Sequence, residues 1–151
     1  MELDIREEWN SFDDYLNVLS RKYRQRAVKI QKSMQPLAIK DLGVEELVEE
    51  KGRITELYQN IVQKQSIALG ILNAEYFVEM KKNLGENFRV YAYYLGETMI
   101  AFSSNIYYPN KAKMEIHYIG LDYEYNKQYN LYFNLLFDGI KCAIVNRFKT
   151  I

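Results

Sequence analysis

The chain has 151 residues, 48% of them hydrophobic and 26% charged, which suits one globular domain with a real core and leaves too little for two. Its 20 basic and 20 acidic residues cancel, which excludes a bulk field that would drive it onto nucleic acid or an anionic membrane. No apolar run reaches the roughly 18 residues that a bilayer span needs, and a single cysteine and a single histidine exclude an internal disulfide and a histidine-rich metal site. The N-terminus, MELDIREEWN, lacks the basic and apolar regions of a secretory signal, so a cytoplasmic location is expected.

In chain order, Ser11 followed by Asp14 reads as a capping box, and Phe12, Tyr15, Leu16 and Leu19 give the apolar face of a first helix starting near residue 11. Ser20 is placed to cap a second helix bearing Arg21, Lys22, Arg24, Arg26, Lys29 and Lys32 and no acidic residue; together these make an N-terminal helical segment over 11–34. Pro36 stops it, and Leu37 to Lys40 reads as a short strand. From Val44 to Val62 apolar residues recur with a helical period, with Gly52 marking a weak middle. Residues 65–72 read as a connection, and Asn73 caps a shorter helix that Gly85 ends.

The texture then changes. Phe88–Leu95, Thr98–Tyr108 and Ala112–Leu121 are rich in β-branched and aromatic residues and are separated by turn residues, which predicts a three-stranded antiparallel meander. On the middle strand, alternation puts Ile100, Phe102, Ser104, Ile106 and Tyr108 on one face and Met99, Ala101, Ser103, Asn105 and Tyr107 on the other. A turn from Asp122 to Asn130 follows, then a helix whose stripe is Phe133, Leu136, Phe137, Ile140 and Ile144. Phe148 to Ile151 reads as the approach to a further strand, so a chain truncated relative to its domain, or completed by a partner, is expected.

The strand, turn and helix from Lys113 to Ile144 form the expected site, because a helix N-terminus after a strand offers unpaired N–H groups to a ligand. Glu115 and His117 share one strand face and are the candidate bases, His117 by its ordinary pKa of about 6.5. A plain cross-strand pair would use the same two residues. Tyr123, Tyr125, Tyr129 and Tyr132 offer hydroxyls to the cleft, with Tyr132 the candidate acid; Tyr132 and Phe133 equally suit a core. Asn130 suits either ligand contact or an N-cap. The basic helix is read as a solvated face opposite Glu45, Glu46, Glu49 and Glu50, and Cys142 as an inert thiol.

The segments SRKYRQRAVK, LGETMIAFSSNIYY and YIGLDYEYNKQYNLYFNLLFDGIKCAI, in this element order, resemble the GNAT-like N-acyltransferases, specifically the Fem-like and biotin-synthesis-like acetyltransferase group. The resemblance covers nearly the whole chain. It implies one α/β domain of α+β type over 1–151: a GNAT-like mixed sheet with an antiparallel meander flanked by helices, lacking the C-terminal strands.

It also implies transfer of an acyl or aminoacyl group from a thioester or ester donor, acyl-CoA or acetyl-CoA, to an amine-bearing acceptor, with no metal. The donor's pantetheine would lie beside the last strand, and a bulge at Ile119 and Gly120 would aim their N–H groups at its carbonyl. Tyr123, Tyr125 and Asn130 would complete the donor site. The glycine-rich pyrophosphate turn of that family is missing between Asp122 and Asn130, which carries Asp122 and Glu124 instead; Fem-like members without that turn use tRNA-borne donors. The alternative is a catalytically inactive module that binds a partner, or forms a homodimer, through an unpaired sheet edge at Lys113–Leu121.

Overall fold

The computed structural model describes residues 2–64 and 72–151; the connection expected over 65–72 falls, apart from Leu72, outside them. Helix α1 (Phe12–Val18) opens with the expected capping box: the Ser11 amide donates to Asp14 at 2.9 Å and the Asp14 amide donates to Ser11 Oγ at 3.3 Å. Ser20 stands at the N-cap of α2 (Arg21–Lys32) without a side-chain bond. Strand β1 (Ala38–Asp41) runs one residue later than the sequence suggested.

The single helix expected over 44–62 is two, α3 (Val44–Glu49) and α4 (Lys51–Val62). They break at Glu50 (φ −90°, ψ 8°), and Gly52 falls in the first turn of α4 rather than at the bend. Helix α5 (Ala74–Leu84) has Asn73 accepting the Tyr76 amide at 3.3 Å, and it ends on Gly85 at φ 54°, a backbone position that strains a residue with a Cβ.

Strands β2 (Phe88–Leu95), β3 (Thr98–Tyr108) and β4 (Lys113–Leu121) make the expected meander, and β1 joins its far edge by pairing with Tyr91–Tyr94. The order is β1-β2-β3-β4, antiparallel throughout. Mixed character enters beyond it: Thr150 bridges Lys113 in parallel and Asp4 antiparallel. The Met114 amide donates to the Thr150 carbonyl at 3.0 Å, so the start of the β4 edge, expected to be unpaired, is paired.

Helices cover both faces. Leu57, Phe77 and Val78 of α4 and α5 pack with Val90, Ala92 and Phe102 on one side. The other side is covered by helix α7 (Leu131–Val145), whose Leu131 and Leu135 pack with Tyr93, Ala101 and Leu121. A further cluster ties Ile5, Trp9, Phe12 and Leu16 to Met114, Ile140 and Ile144.

Two bulges correct the simple alternation. Tyr93 pairs with Ala101 but Tyr94 pairs with Met99, so Ile100 is the extra residue on β3. Ile100 therefore turns to the α7 side with Ala101, and Met99 joins Phe102 on the α4 side. The second bulge lies on β4 and shapes the site.

The turn expected from Asp122 to Asn130 is instead a short helix, α6 (Tyr123–Tyr129), with Asp122 accepting the Glu124 amide at 3.0 Å. Helix α7 is rolled relative to its expected stripe. Gly139 faces the sheet so closely that a Cβ there would lie 2.5 Å from Ile116 Cδ1, and this approach brings Leu131, Leu135 and Ala143 inward while Phe133 stays 40% exposed.

Candidate active site

The groove that gathers the candidate residues runs along the β4 edge beneath α7. It has a volume of about 810 Å³, and Glu115, His117, Ile119 and Tyr132 all line it, with Leu136 and Phe137 forming an apolar wall. Among the described residues no strand pairs with β4 beyond its first residues, so this edge faces the groove.

A bulge sets what the edge presents. Ser104 pairs with Tyr118 and Asn105 with Ile116, which leaves His117 as the extra residue on β4. The fully buried Ser104 pins it: its Oγ accepts the Tyr118 amide at 3.0 Å and donates to the Tyr118 carbonyl at 3.1 Å. His117 and Tyr118 consequently both turn toward α5, where Tyr118 packs edge-on to Phe77 and His117 meets Tyr76.

The bulge lies two residues before the expected position at Ile119 and Gly120. Gly120 serves packing instead, because a Cβ there would lie 2.8 Å from the backbone carbon of Leu57 in α4 and 2.3 Å from the Phe102 ring. Ile119 lines the groove; Gly120 is buried against α4.

His117 is the centre of a polar chain. Its Nε2 is 2.6 Å from the Tyr76 hydroxyl, and its Nδ1 is 3.8 Å from Glu115, whose other oxygen accepts from the Tyr108 hydroxyl at 3.4 Å. A carboxylate on the Nδ1 side favours the proton there, which leaves Nε2 to accept from Tyr76. Burial lowers the His117 pKa below its ordinary 6.5, with Glu115 pulling the other way, so the ring is neutral at pH 7. Burial raises the Tyr76 pKa, so that phenol keeps its proton.

The α7 N-terminus is engaged in part by its own neighbours. The Tyr132 amide donates to Asn126 Oδ1 at 3.0 Å, and Asn130 sits in the left-handed region (φ 48°, ψ 42°) without capping α7; its side-chain amide donates to Ser33 at 3.3 Å. Asp122 is held from α4, where Arg53 donates to its Oδ2 at 3.0 Å and to the Met99 carbonyl at 2.7 Å. Between Asp122 and Asn130 the junction has no glycine and carries Asp122 and Glu124, which oppose a pyrophosphate, while the strand edge beside it is open beyond its first residues. Tyr123 and Tyr125 pack on the core beneath α6 rather than in the groove. Tyr123 also carries Lys64 over its ring, at 3.4 Å.

The basic helix does not face the acidic patch. Glu46 is taken by Lys40 at 2.7 Å and Glu50 accepts from Tyr94 at 3.1 Å, while Arg26 lies 5.2 Å over the Phe133 ring at the groove. The residues that sequence reasoning missed are Tyr76, Ser104 and Arg53. Tyr76 and Arg53 reach the junction from 41 and 69 residues away, and no local pattern signals that.

Among the described residues no group of three His, Cys, Asp or Glu could hold a metal ion, and no helix is long and apolar enough to cross a membrane.

An antiparallel four-stranded sheet with a bulged fourth strand, an edge open beyond its first residues and helices on both faces is the arrangement of a GNAT-like fold. The chain has that fold, and solved structures agree. A conserved protein of unknown function from Bacteroides thetaiotaomicron VPI-5482 matches 100% of this chain and 51% of its own at 12% identity, with a TM-score of 0.63. A chain assigned to the GNAT acetyltransferase family from Staphylococcus aureus subsp. aureus matches 74% of this chain and 94% of its own at 18% identity and TM-score 0.54. The C-terminal domain assigned to a lysylphosphatidylglycerol synthetase from Agrobacterium fabrum matches 89% and 42% at 9% identity and TM-score 0.55. No family model and no curated protein matches the sequence.

Proposed function

We propose that the chain is an N-acyltransferase whose groove along β4 receives the acyl arm of a pantetheine thioester and passes the acyl group to an amine. The observation that carries this reading is the bulged β4 edge facing an 810 Å³ groove with the Glu115, His117 and Tyr76 chain at its side. An amine must lose a proton to attack, and a neutral imidazole oriented by a carboxylate suits that task. In the reaction, the amine nitrogen forms a bond to the thioester carbonyl carbon as the carbon–sulfur bond breaks. With the amine approaching from the α5 side of the β4 edge, its proton passes to His117 through the Tyr76 hydroxyl, and the thiolate in the groove takes a proton from the Tyr132 hydroxyl.

The donor is held by its arm. With the Tyr132 amide engaged by Asn126 and no glycine between Asp122 and Asn130, the α7 N-terminus adds little for a pyrophosphate. The test is calorimetry with S-acetylpantetheine and acetyl-CoA. Both bind within about threefold of each other if the arm carries recognition, a difference below 1 kcal/mol. Silence from both, with the chain folded, removes the thioester reading.

A further inference from the structure

We infer that a second cavity, on the opposite side of α7 from the groove, is a binding site for a small primary ammonium compound. It has a volume of about 310 Å³ and lies between the sheet and α7. That is the lower end of the range for ligand pockets, and about ten times the share of one liquid water molecule.

Its floor and roof hold acceptors with nothing to accept from. Asn105 is 2% exposed, and its Oδ1 has no hydrogen-bond partner; across from it, Asp138 Oδ2 has none either. A buried acceptor left unpaired is destabilising, so two around one cavity call for a donor. Lys141 takes the other Asp138 oxygen at 3.0 Å, which fixes the carboxylate. The Tyr93 hydroxyl interacts with both Asp138 and Ser103, yet Oδ2 is left without a hydrogen bond of good geometry.

The chemistry of the occupant follows from this set. Two acceptor oxygens match N–H donors; Lys141, which also lines the cavity, balances the Asp138 charge, so recognition rests on hydrogen bonding. Tyr91 and Tyr93 supply aromatic walls, which also favour a cation. Burial raises the pKa of both phenols, so neither contributes a competing negative charge near neutral pH. A hard metal ion is poorly served, since it needs more oxygen ligands than one carboxylate and one amide supply. A primary ammonium with a short apolar tail satisfies both acceptors and fits the volume.

Cys142 lines the same cavity and is the chain's one cysteine, so its alkylation reports occupancy. The experiment follows iodoacetamide labelling of the full chain while titrating n-butylammonium, against tetramethylammonium at matched ionic strength. The expected result is a saturable slowing by n-butylammonium and none by tetramethylammonium, which has the charge but no N–H donor. Asp138→Asn and Asn105→Leu, each checked by thermal melting, should each weaken the apparent affinity by about tenfold or more. Equal effects of the two cations, no saturable slowing, or unchanged affinity in both folded variants would overturn the inference. The comparison of the two cations on the unaltered protein stands whether or not a variant folds. Neither substitution touches the β4 groove, so this result is separable from the acyl-transfer test.

Discussion

Replacing Ser104 by Ala tests whether the β4 bulge is built by that side chain. The hydroxyl makes two bonds to one residue, accepting from the Tyr118 amide at 3.0 Å and donating to its carbonyl at 3.1 Å, at a site with no exposure. Each is worth about 0.5–1.5 kcal/mol net, and leaving the buried amide unpaired adds more, so the substitution should destabilise by roughly 2–4 kcal/mol. That is a large share of a stability of about 5–15 kcal/mol. Urea denaturation with unchanged m-value measures it. Ser11→Ala, which removes only an exposed cap, should lose about 1 kcal/mol and serves as the comparison. A Ser104→Ala loss below about 0.5 kcal/mol would mean that strand pairing alone holds the bulge, and the placement of His117 would need another cause.

Gly120→Ala should destabilise by about 1–3 kcal/mol or more, because the new methyl meets the α4 backbone at Leu57, and the denaturation midpoint reports it. His117 has a native pKa below its ordinary 6.5, so the native state binds fewer protons there than the unfolded chain. Its contribution is therefore whole above pH 6.5 and is lost as pH falls toward the native value; His117→Gln should flatten the stability profile in that window. Tyr76→Phe should lower the acyl-transfer rate by about tenfold to a hundredfold with little change in donor affinity. Equal losses in rate and donor affinity would assign Tyr76 to binding.

Much of the fold follows from local chemistry. The Ser11 and Asn73 caps, the Gly85 stop and the three aromatic-rich strands are all decided within a few residues, and each is found within one residue of where the pattern puts it, the last strand starting at Lys113 because Ala112 is left-handed (φ 48°). What the pattern misses is decided by distant partners. Both bulges depend on how neighbouring strands register, and period-two alternation cannot see an extra residue at Ile100 or His117. The roll of α7 depends on Gly139 meeting Ile116, 23 positions away, so the apolar stripe read from the helix alone points wrongly at Phe133. The helix α6 replaces an expected turn because Asp122 caps it and Arg53 anchors that cap from α4.

The site divides in the same way. Glu115, His117, Ile119 and Tyr132 meet at one groove because a strand edge and the helix after it are close in sequence and in space. Gly120, Tyr123, Tyr125 and Asn130 are spent on packing and on the junction's own hydrogen bonds. Tyr76 carries no local signal in the sequence, and its hydroxyl acquires a role through a contact 41 residues away.

The placement of an acyl arm along β4 is tested most directly by titrating the isotope-labelled chain with S-acetylpantetheine and following its backbone amides. Saturable shifts are expected from Glu115 to Ile119 and at Tyr132 and Phe133, with Cys142 and Val145 in the second cavity unmoved. Saturable shifts confined to other parts of the chain, or none along β4, would contradict it.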